Sequence, residues 1–260
     1  MKAVILAAGY ATRLYPLTKD RPKPLLDMGG KPVLEHILAP IEKIDKLDDI
    51  CIVVNHKFYS QFEKWKVHYR TSKRVILLDD GSTHEEDRLG AIGDIRFCIQ
   101  QQKIVEDLLV VAGDNLFDMD LIPFIRSAQK RSPFCSMMLY DVKDFSLAKH
   151  YGIVRLDAEH RIVSFEEKPK DPQSTLSAIG VYYFPKHVLE SIETYLKAGS
   201  PQDAPGFFIR WLYQQETVYG YPCEGLWYDI GDLESYRRAS QVFGKVHTSQ
   251  KQNLARREET

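Results

Sequence analysis

Cysteine is scarce in this chain, and its four copies lie far apart. The 260 residues contain only Cys51, Cys98, Cys135 and Cys223, with no C-x-x-C pair and no H-E-x-x-H run. Zinc sites and redox dithiols need such closely spaced ligands, so neither kind of site is expected. Cys51 and Cys135 fall inside apolar runs, where a buried free thiol is the ordinary outcome.

Long hydrophobic runs and an excess of one charge are also missing. The first apolar run covers only residues 3–8, too short for a signal core, and no later window approaches the ~20 apolar residues of a membrane span. Lys plus Arg is 35 and Asp plus Glu is 36. This balance creates no global field toward nucleic acid or an anionic membrane. We therefore expect a cytoplasmic protein with neither kind of partner.

Apolar runs alternate with helical patterns in the first half of the chain. Strands are predicted at 3–7, 50–54, 74–78 and 108–112, and helices from 32, at 58–69 and at 89–101. This alternation is typical of an α/β fold with a parallel or mainly parallel sheet and helices on both faces.

Strand patterns dominate after about residue 133. Strands are predicted at 136–142, 178–184 and 218–221, a hairpin at 153–165, and helices at 185–198, 207–215 and 233–242. Because no Pro/Gly/Ser-rich linker separates the halves, we predict a single domain over 1–243. The change of pattern divides this domain into a first half over about 1–133 and a second half over about 134–243. The polar segment 244–260 lacks periodicity and is expected to be a disordered tail.

The densest cluster of functional residue types follows the first predicted strand. Small residues at the end of a strand let backbone N–H groups approach phosphates. Arg13 and Lys23 add positive charge, and Pro16, Pro22 and Pro24 restrict the loop that carries them. The alternative is a plain turn with exposed basic side chains, but the concentration of these residues in one segment favours a phosphate site. The segment is neither a Walker A nor a G-x-G-x-x-G motif.

Asp114 lies two residues beyond the predicted strand 108–112. At that position a carboxylate points into the crevice where open α/β sheets bind ligands. Such a group suits Mg²⁺ that bridges substrate phosphates. It equally suits the N-cap of the helix that follows. The residues alone leave these two roles open.

Residues 6–25, LAAGYATRLYPLTKDRPKPL, strongly resemble the signature LAAGxGTRLxPLTxxxPKPL of the sugar-1-phosphate nucleotidyltransferases, particularly those like glucose-1-phosphate thymidylyltransferase. Ala11 stands where that signature has its second glycine. If this position needs a positive φ, alanine strains the turn by about 1 kcal/mol or more. The resemblance continues to about residue 242 and implies a Rossmann-like, mixed, mainly parallel sheet with a β-rich sugar-binding insertion. It also implies that the half over about 1–133 binds the nucleotide and that the half over about 134–243 binds the sugar.

Further motifs carry the same resemblance in the family's order. GD at 113–114 is similar to its first metal motif, YG at 151–152 and EKP at 167–169 to its sugar motifs, and WYDIGD at 227–232 to its second metal motif. The segment 79–95 corresponds to the one that reads the nucleobase, but is longer here. Asp232 precedes a helical pattern, so we assign Asp229 to metal and Asp232 to capping.

The resemblance implies the site residues as follows. The nucleotide site consists of Leu6, Ala7, Ala8, Gly9, Ala11, Thr12, Arg13, Lys23, Gly90 and Asp114. The sugar-phosphate site consists of Gly152, Glu167, Lys168, Ile179 and Tyr182. The catalytic cations are Arg13, Lys23 and Lys168, and the Mg²⁺ ligands are Asp114 and Asp229. Asp203 stands where many thymidylyltransferases have an acidic sugar contact, and it either takes that role or caps the next helix.

The implied reaction joins a nucleoside triphosphate to a sugar 1-phosphate, giving a nucleotide-sugar and pyrophosphate. We expect dTTP or UTP as the nucleotide, glucose 1-phosphate as the sugar and Mg²⁺ as the cofactor. Two alternatives stay open: a catalytically silent nucleotide-binding paralogue, and transfer to another phosphate acceptor. Assembly into a homo-oligomer is also left open.

Overall fold

The computed structural model describes residues 1–243, and the expected tail, 244–260, lies outside them. The strands are β1 (Lys2–Leu6), β2 (Asp49–Val54), β3 (Arg74–Asp79), β4 (Leu108–Ala112), β5 (Asn115–Phe117), β6 (Cys135–Asp141), β7 (Gly152–Leu156), β8 (Ile162–Glu167), β9 (Leu176–Phe184), β10 (Val218–Cys223) and β11 (Trp227–Asp229). The helices are α1 (Val33–Glu42), α2 (Tyr59–His68), α3 (Gly90–Gln101), α4 (Leu121–Lys130), α5 (Phe145–Ala148), α6 (Val188–Lys197) and α7 (Pro205–Leu212), and residues 233–243 are also helical.

One large sheet contains most of these strands. Its order is β10-β6-β9-β4-β1-β2-β3; in addition, β7 pairs with β9, and β8 pairs with β7. β4, β1, β2 and β3 are mutually parallel, whereas β9 runs antiparallel to both β4 and β6. The predicted mixed, mainly parallel α/β sheet is therefore confirmed.

Helices cover both faces of the sheet, which explains the unbroken apolar runs of its central strands. Side chains alternate across each strand, so Ile5 packs into one core layer and Val4 into the other. The first layer contains apolar residues of α1, α2 and α4, and the second contains those of α3, α6 and α7. Both layers bury the sheet and leave the carboxyl ends of its parallel strands open.

A second, two-stranded sheet was not predicted. β5 and β11 pair antiparallel, with Asp229 opposite Asn115. The short helix α5 was also missed. Both strands have only three residues, too few for a periodic pattern to show in the sequence.

The buried free thiols expected at Cys51 and Cys135 are present in the structure. Cys51, Cys98 and Cys135 are buried free thiols, and Cys223 is a partly buried one. Of the helices within residues 1–243, none combines the length and apolar character that a bilayer crossing requires.

Candidate active site

A cleft of about 760 Å³ lies at the carboxyl ends of β1 and β4. Most of the predicted site residues line it: Leu6, Ala7, Ala8, Gly9, Ala11, Arg13, Lys23, Gly90, Asp114, Gly152, Glu167, Lys168, Tyr182 and Asp229. The fold thus brings together residues as far apart in the chain as Leu6 and Asp229. Thr12 and Ile179 are the exceptions.

These two residues correct the predicted set. Thr12 is exposed and is not among the residues that line the cleft. Ile179 is fully buried in the core layer on the opposite face of the sheet. Because side chains alternate along β9, Gly180 and Tyr182 face the cleft while Ile179 faces away from it.

The turn after β1 adopts a left-handed conformation at Ala11, with φ 49° and ψ 44°. The fully buried Thr18 donates its hydroxyl to the Ala11 carbonyl over 2.7 Å. Asn55, which the sequence analysis did not single out, donates its amide to the Ala8 carbonyl over 2.9 Å. These two bonds hold the backbone of the turn in place from the side away from the cleft.

Lys23 connects three distant segments of the chain. Its ammonium lies 3.0 Å from Oδ2 of Asp114 and 3.0 Å from the carbonyl oxygen of Ile230, and its side chain is only 12% exposed. Burial raises the pKa of Asp114, but the adjacent Lys23 charge outweighs burial and holds that pKa below its ordinary value. Asp114 is therefore ionised at neutral pH.

The β5–β11 sheet brings the second aspartate to the first. Asp229 faces Asn115, and the Ile230 N–H donates to the Asp114 carbonyl over 3.0 Å. Burial and the nearby charge of Asp114 raise the pKa of Asp229 to about 6. The pair is a concentrated site of negative charge, which the nearby charges of Lys23 and Lys168 offset in part.

Asn115 orients this pair and was missed by the sequence analysis. Its amide donates to Oδ1 of Asp114 over 2.8 Å, and its Oδ1 accepts from the Trp227 indole N–H over 2.7 Å. The sequence feature that could have identified Asn115 is its position directly after Asp114, where β5 begins. Asn115 thus joins the Asp114 segment to the strand β11 through one side chain.

Asp114 and Asp229 could supply two carboxylate ligands to a magnesium ion. Within residues 1–243, no group of three or more His, Cys, Asp and Glu side chains is arranged to hold a metal. Mg²⁺ commonly takes one or two carboxylates and completes its shell with water and substrate phosphates. A divalent cation would also relieve the repulsion between Asp114 and Asp229, so the residues present suit that ion.

The part of the cleft beside β8 is built around Glu167. A Cβ atom on Gly206 would lie 2.6 Å from Cζ of Phe165, and one on Gly152 would lie 3.0 Å from Oε2 of Glu167. Only glycine fits at either position without displacing these side chains. Burial raises the pKa of Glu167, although Lys168 beside it acts in the opposite direction.

Asp203 lines the cleft, so a sugar contact stays a prediction, but it does not cap the next helix. Its Oδ1 accepts from Nη2 of Arg88 over 3.0 Å, and α7 has no side-chain cap. This ion pair joins the segment before α3 to the segment before α7. Asp232 does cap the helix at 233–243, because its Oδ1 accepts from the Ser235 N–H over 2.7 Å.

Comparison with known proteins gives a family match over nearly all of the described chain. A family model described as "Nucleotidyl transferase" matches residues 2–245. Bifunctional protein GlmU of Methanocaldococcus jannaschii is 31% identical over 231 residues, which are 89% of this chain and 51% of that protein. Glucose-1-phosphate adenylyltransferase of Fervidobacterium nodosum is 28% identical over 246 residues, 90% of this chain and 59% of that protein. The chain therefore spans only somewhat more than half the length of these relatives.

Solved structures give the same fold. UDP-glucose pyrophosphorylase from Acinetobacter baumanii superposes with a TM-score of 0.77 at 21% identity, covering 98% of each chain. At this level of identity the likeness concerns the fold alone.

Proposed function

Since the chain belongs to the nucleotidyl transferase family, we propose that it transfers a nucleotidyl group to a sugar 1-phosphate. In this reaction an oxygen of the sugar phosphate attacks the α-phosphorus of a nucleoside triphosphate. The new P–O bond forms as the bond to the β-phosphate bridging oxygen breaks, and pyrophosphate leaves with that oxygen and its electron pair. Such chemistry needs positioning and charge stabilisation rather than a covalent nucleophile.

The observation that carries this proposal is the position of Lys23 against the two aspartates. The ammonium lies at the mouth of the small-residue turn and 3.0 Å from Asp114, with Asp229 on the neighbouring strand. A cation facing a carboxylate pair beside a backbone turn suits two phosphates that must approach each other despite their mutual repulsion. A plain nucleotide-binding site has no need of both carboxylates.

The cations of the cleft would each contact a different phosphate. Arg13, at the end of the turn, would stabilise the departing pyrophosphate, and Lys23 would hold the triphosphate. Lys168, on the sugar side next to Glu167, would orient the attacking phosphate. A magnesium ion held by Asp114 and Asp229 would supply charge neutralisation between the phosphates when bound.

For the substrates, we propose dTTP or UTP and glucose 1-phosphate. The names of the matched proteins differ in both nucleotide and sugar, so this choice depends on a direct assay. The assay is a matrix of five nucleoside triphosphates against glucose, mannose and N-acetylglucosamine 1-phosphates, read as pyrophosphate release. Nucleotide binding without release in any combination would instead support the silent paralogue.

The role of Lys23 is tested with a matched pair of variants. Lys23→Ala should lower kcat by about 10²–10³-fold, as is typical when one electrostatic contact to the transition state is removed. Lys64→Ala, which removes an exposed lysine of α2, should leave turnover unchanged. Turnover of Lys23→Ala within a few-fold of wild type would show that this assignment is wrong.

A further inference from the structure

Two buried carboxyl oxygens have no hydrogen-bond partner within the described residues, and one of them belongs to a residue that lines the cleft. They are Oδ2 of Asp80, in the loop after β3, and Oδ1 of Asp94, on α3. Asp94 is only 5% exposed, yet its side chain lines the cleft. Buried polar groups are almost always paired, so an unpaired carboxyl at the wall of a ligand site indicates a partner that the ligand supplies.

The order of strands places Asp94 relative to the substrates. Glu167 and Tyr182 lie on the β8 and β9 side, and Lys23 and Asp114 lie near the ends of β1 and β4. α3 packs against β1 and β2, which lie on the other side of β4 from β9, and its Asp94 is one turn beyond Gly90 on the same helix face. If the sugar occupies the first region and the phosphates the second, the nucleobase must lie against α3.

The groups around Asp94 decide its protonation state. Burial and the charge of Asp80 raise the pKa of Asp94 to about 8. Cys98, one turn further along α3, and Cys51 on β2 are buried thiols. Arg88 is engaged with Asp203, and Glu193 of α6 pairs with Arg96. At neutral pH the carboxyl of Asp94 therefore keeps its proton, with an O–H donor beside a C=O acceptor.

We propose that Asp94 reads the nucleobase, donating its carboxyl proton to a ring carbonyl and accepting the adjacent ring N–H, as uracil and thymine present them. This inference rests on the proposed function, because it names the residue that contacts the base in that reaction. The bond pattern satisfies the carboxyl that the free protein leaves unpaired. Removing such a bond from a buried site leaves the base unpaired and typically weakens binding by about tenfold or more.

Two variants separate a base contact from a structural role. Asp94→Ala should raise the KM for UTP or dTTP about tenfold while kcat stays within about twofold. Asp94→Asn, whose amide keeps one donor and one acceptor, should stay near wild type. Inorganic tripolyphosphate, which has phosphates but no base, should inhibit wild type and Asp94→Ala equally. Ser136→Ala removes another buried, unpartnered oxygen away from the cleft and should change neither constant.

A pH profile gives the second readout. Above pH 8, where Asp94 of the free protein loses its proton, the wild-type KM for the triphosphate should rise by up to tenfold per pH unit. Asp94→Asn cannot ionise, so its KM should stay flat in comparison, and it controls for titration of the base and of other residues.

The results that overturn this inference differ from those that overturn the proposed function. Asp94 does not touch the base if Asp94→Ala turns over with an unchanged KM. The same conclusion follows if Asp94→Asn and wild type have the same pH profile. Absence of pyrophosphate release from wild type with every substrate pair counts against the proposed function instead. In that case, calorimetric binding of UTP to wild type and Asp94→Ala still decides the role of Asp94.

Discussion

At the scale of single residues, Ala11 bears a conformation that its side chain disfavours. The turn after β1 has a positive φ of 49° at this position. For an L-residue with a Cβ, the left-handed region costs roughly 1–2 kcal/mol. The Thr18 hydroxyl bond and the surrounding packing hold Ala11 there. The turn therefore keeps its shape at a cost in stability.

Ala11→Gly should raise the free energy of unfolding by on the order of 0.5–1 kcal/mol. The gain is the relieved strain minus the extra chain entropy of glycine in the unfolded state. Ala39→Gly, at a helical position of α1, should destabilise by about 1 kcal/mol and serves as the control of opposite sign. Urea denaturation of both variants measures the difference, and a destabilised Ala11→Gly would show that the strain is absent.

At the scale of secondary-structure elements, the β5–β11 sheet assembles the acidic half of the site. Neither three-residue strand has a pattern of its own, yet their pairing sets Asp229 beside the Asp114 loop. Asn115 joins both strands to the carboxylate through its two hydrogen bonds. The geometry of the pair therefore depends on a small element rather than on the main sheet.

Asn115→Ala should lower the free energy of unfolding by about 1–3 kcal/mol, because it leaves the buried Trp227 indole N–H without its acceptor. It should also lower kcat about tenfold, since Asp114 loses one of its two side-chain donors. Asp120→Ala removes the cap of α4 and should cost a similar ~1 kcal/mol without affecting kcat. Equal kcat values in the two variants would contradict an orienting role for Asn115.

The same scale shows which predictions the sequence could support. The long apolar runs and amphipathic segments predicted the large sheet and its helices, because the buried faces of these elements require apolar residues at regular intervals in the sequence. The motif residues around Lys23 and Asp114 reached one cleft because they follow parallel strands. The prediction that Ile179 lines the cleft was wrong. It came from the neighbouring Gly180 and Tyr182, which do line the cleft, whereas Ile179 lies on the other face of β9. The Asp203–Arg88 pair joins loops of no regular pattern, so no local signal predicts it.

At the scale of the whole molecule, the cleft is a junction between distant parts of the chain. Lys23 bonds across to Asp114 and Ile230, and the Ile92 N–H of α3 donates to the Gln202 carbonyl before α7 over 3.0 Å. A ligand that fills the cleft contacts all of these segments at once. Binding should therefore stabilise the molecule as a unit, by an amount set by the ligand concentration relative to Kd.

Magnesium and the triphosphate should stabilise the protein together more than the sum of their separate effects. At about 100 times Kd, binding adds roughly 2.7 kcal/mol, which corresponds to a rise of about 5–10 °C in the melting temperature for a chain of this size. EDTA should remove most of that rise, and so should Asp229→Asn, because one metal carboxylate is lost. Asp232→Asn keeps a capping side chain and should retain the full shift. An equal shift with EDTA and with magnesium would show that Asp114 and Asp229 hold no ion between the phosphates, and the carboxylate pair would then need another role.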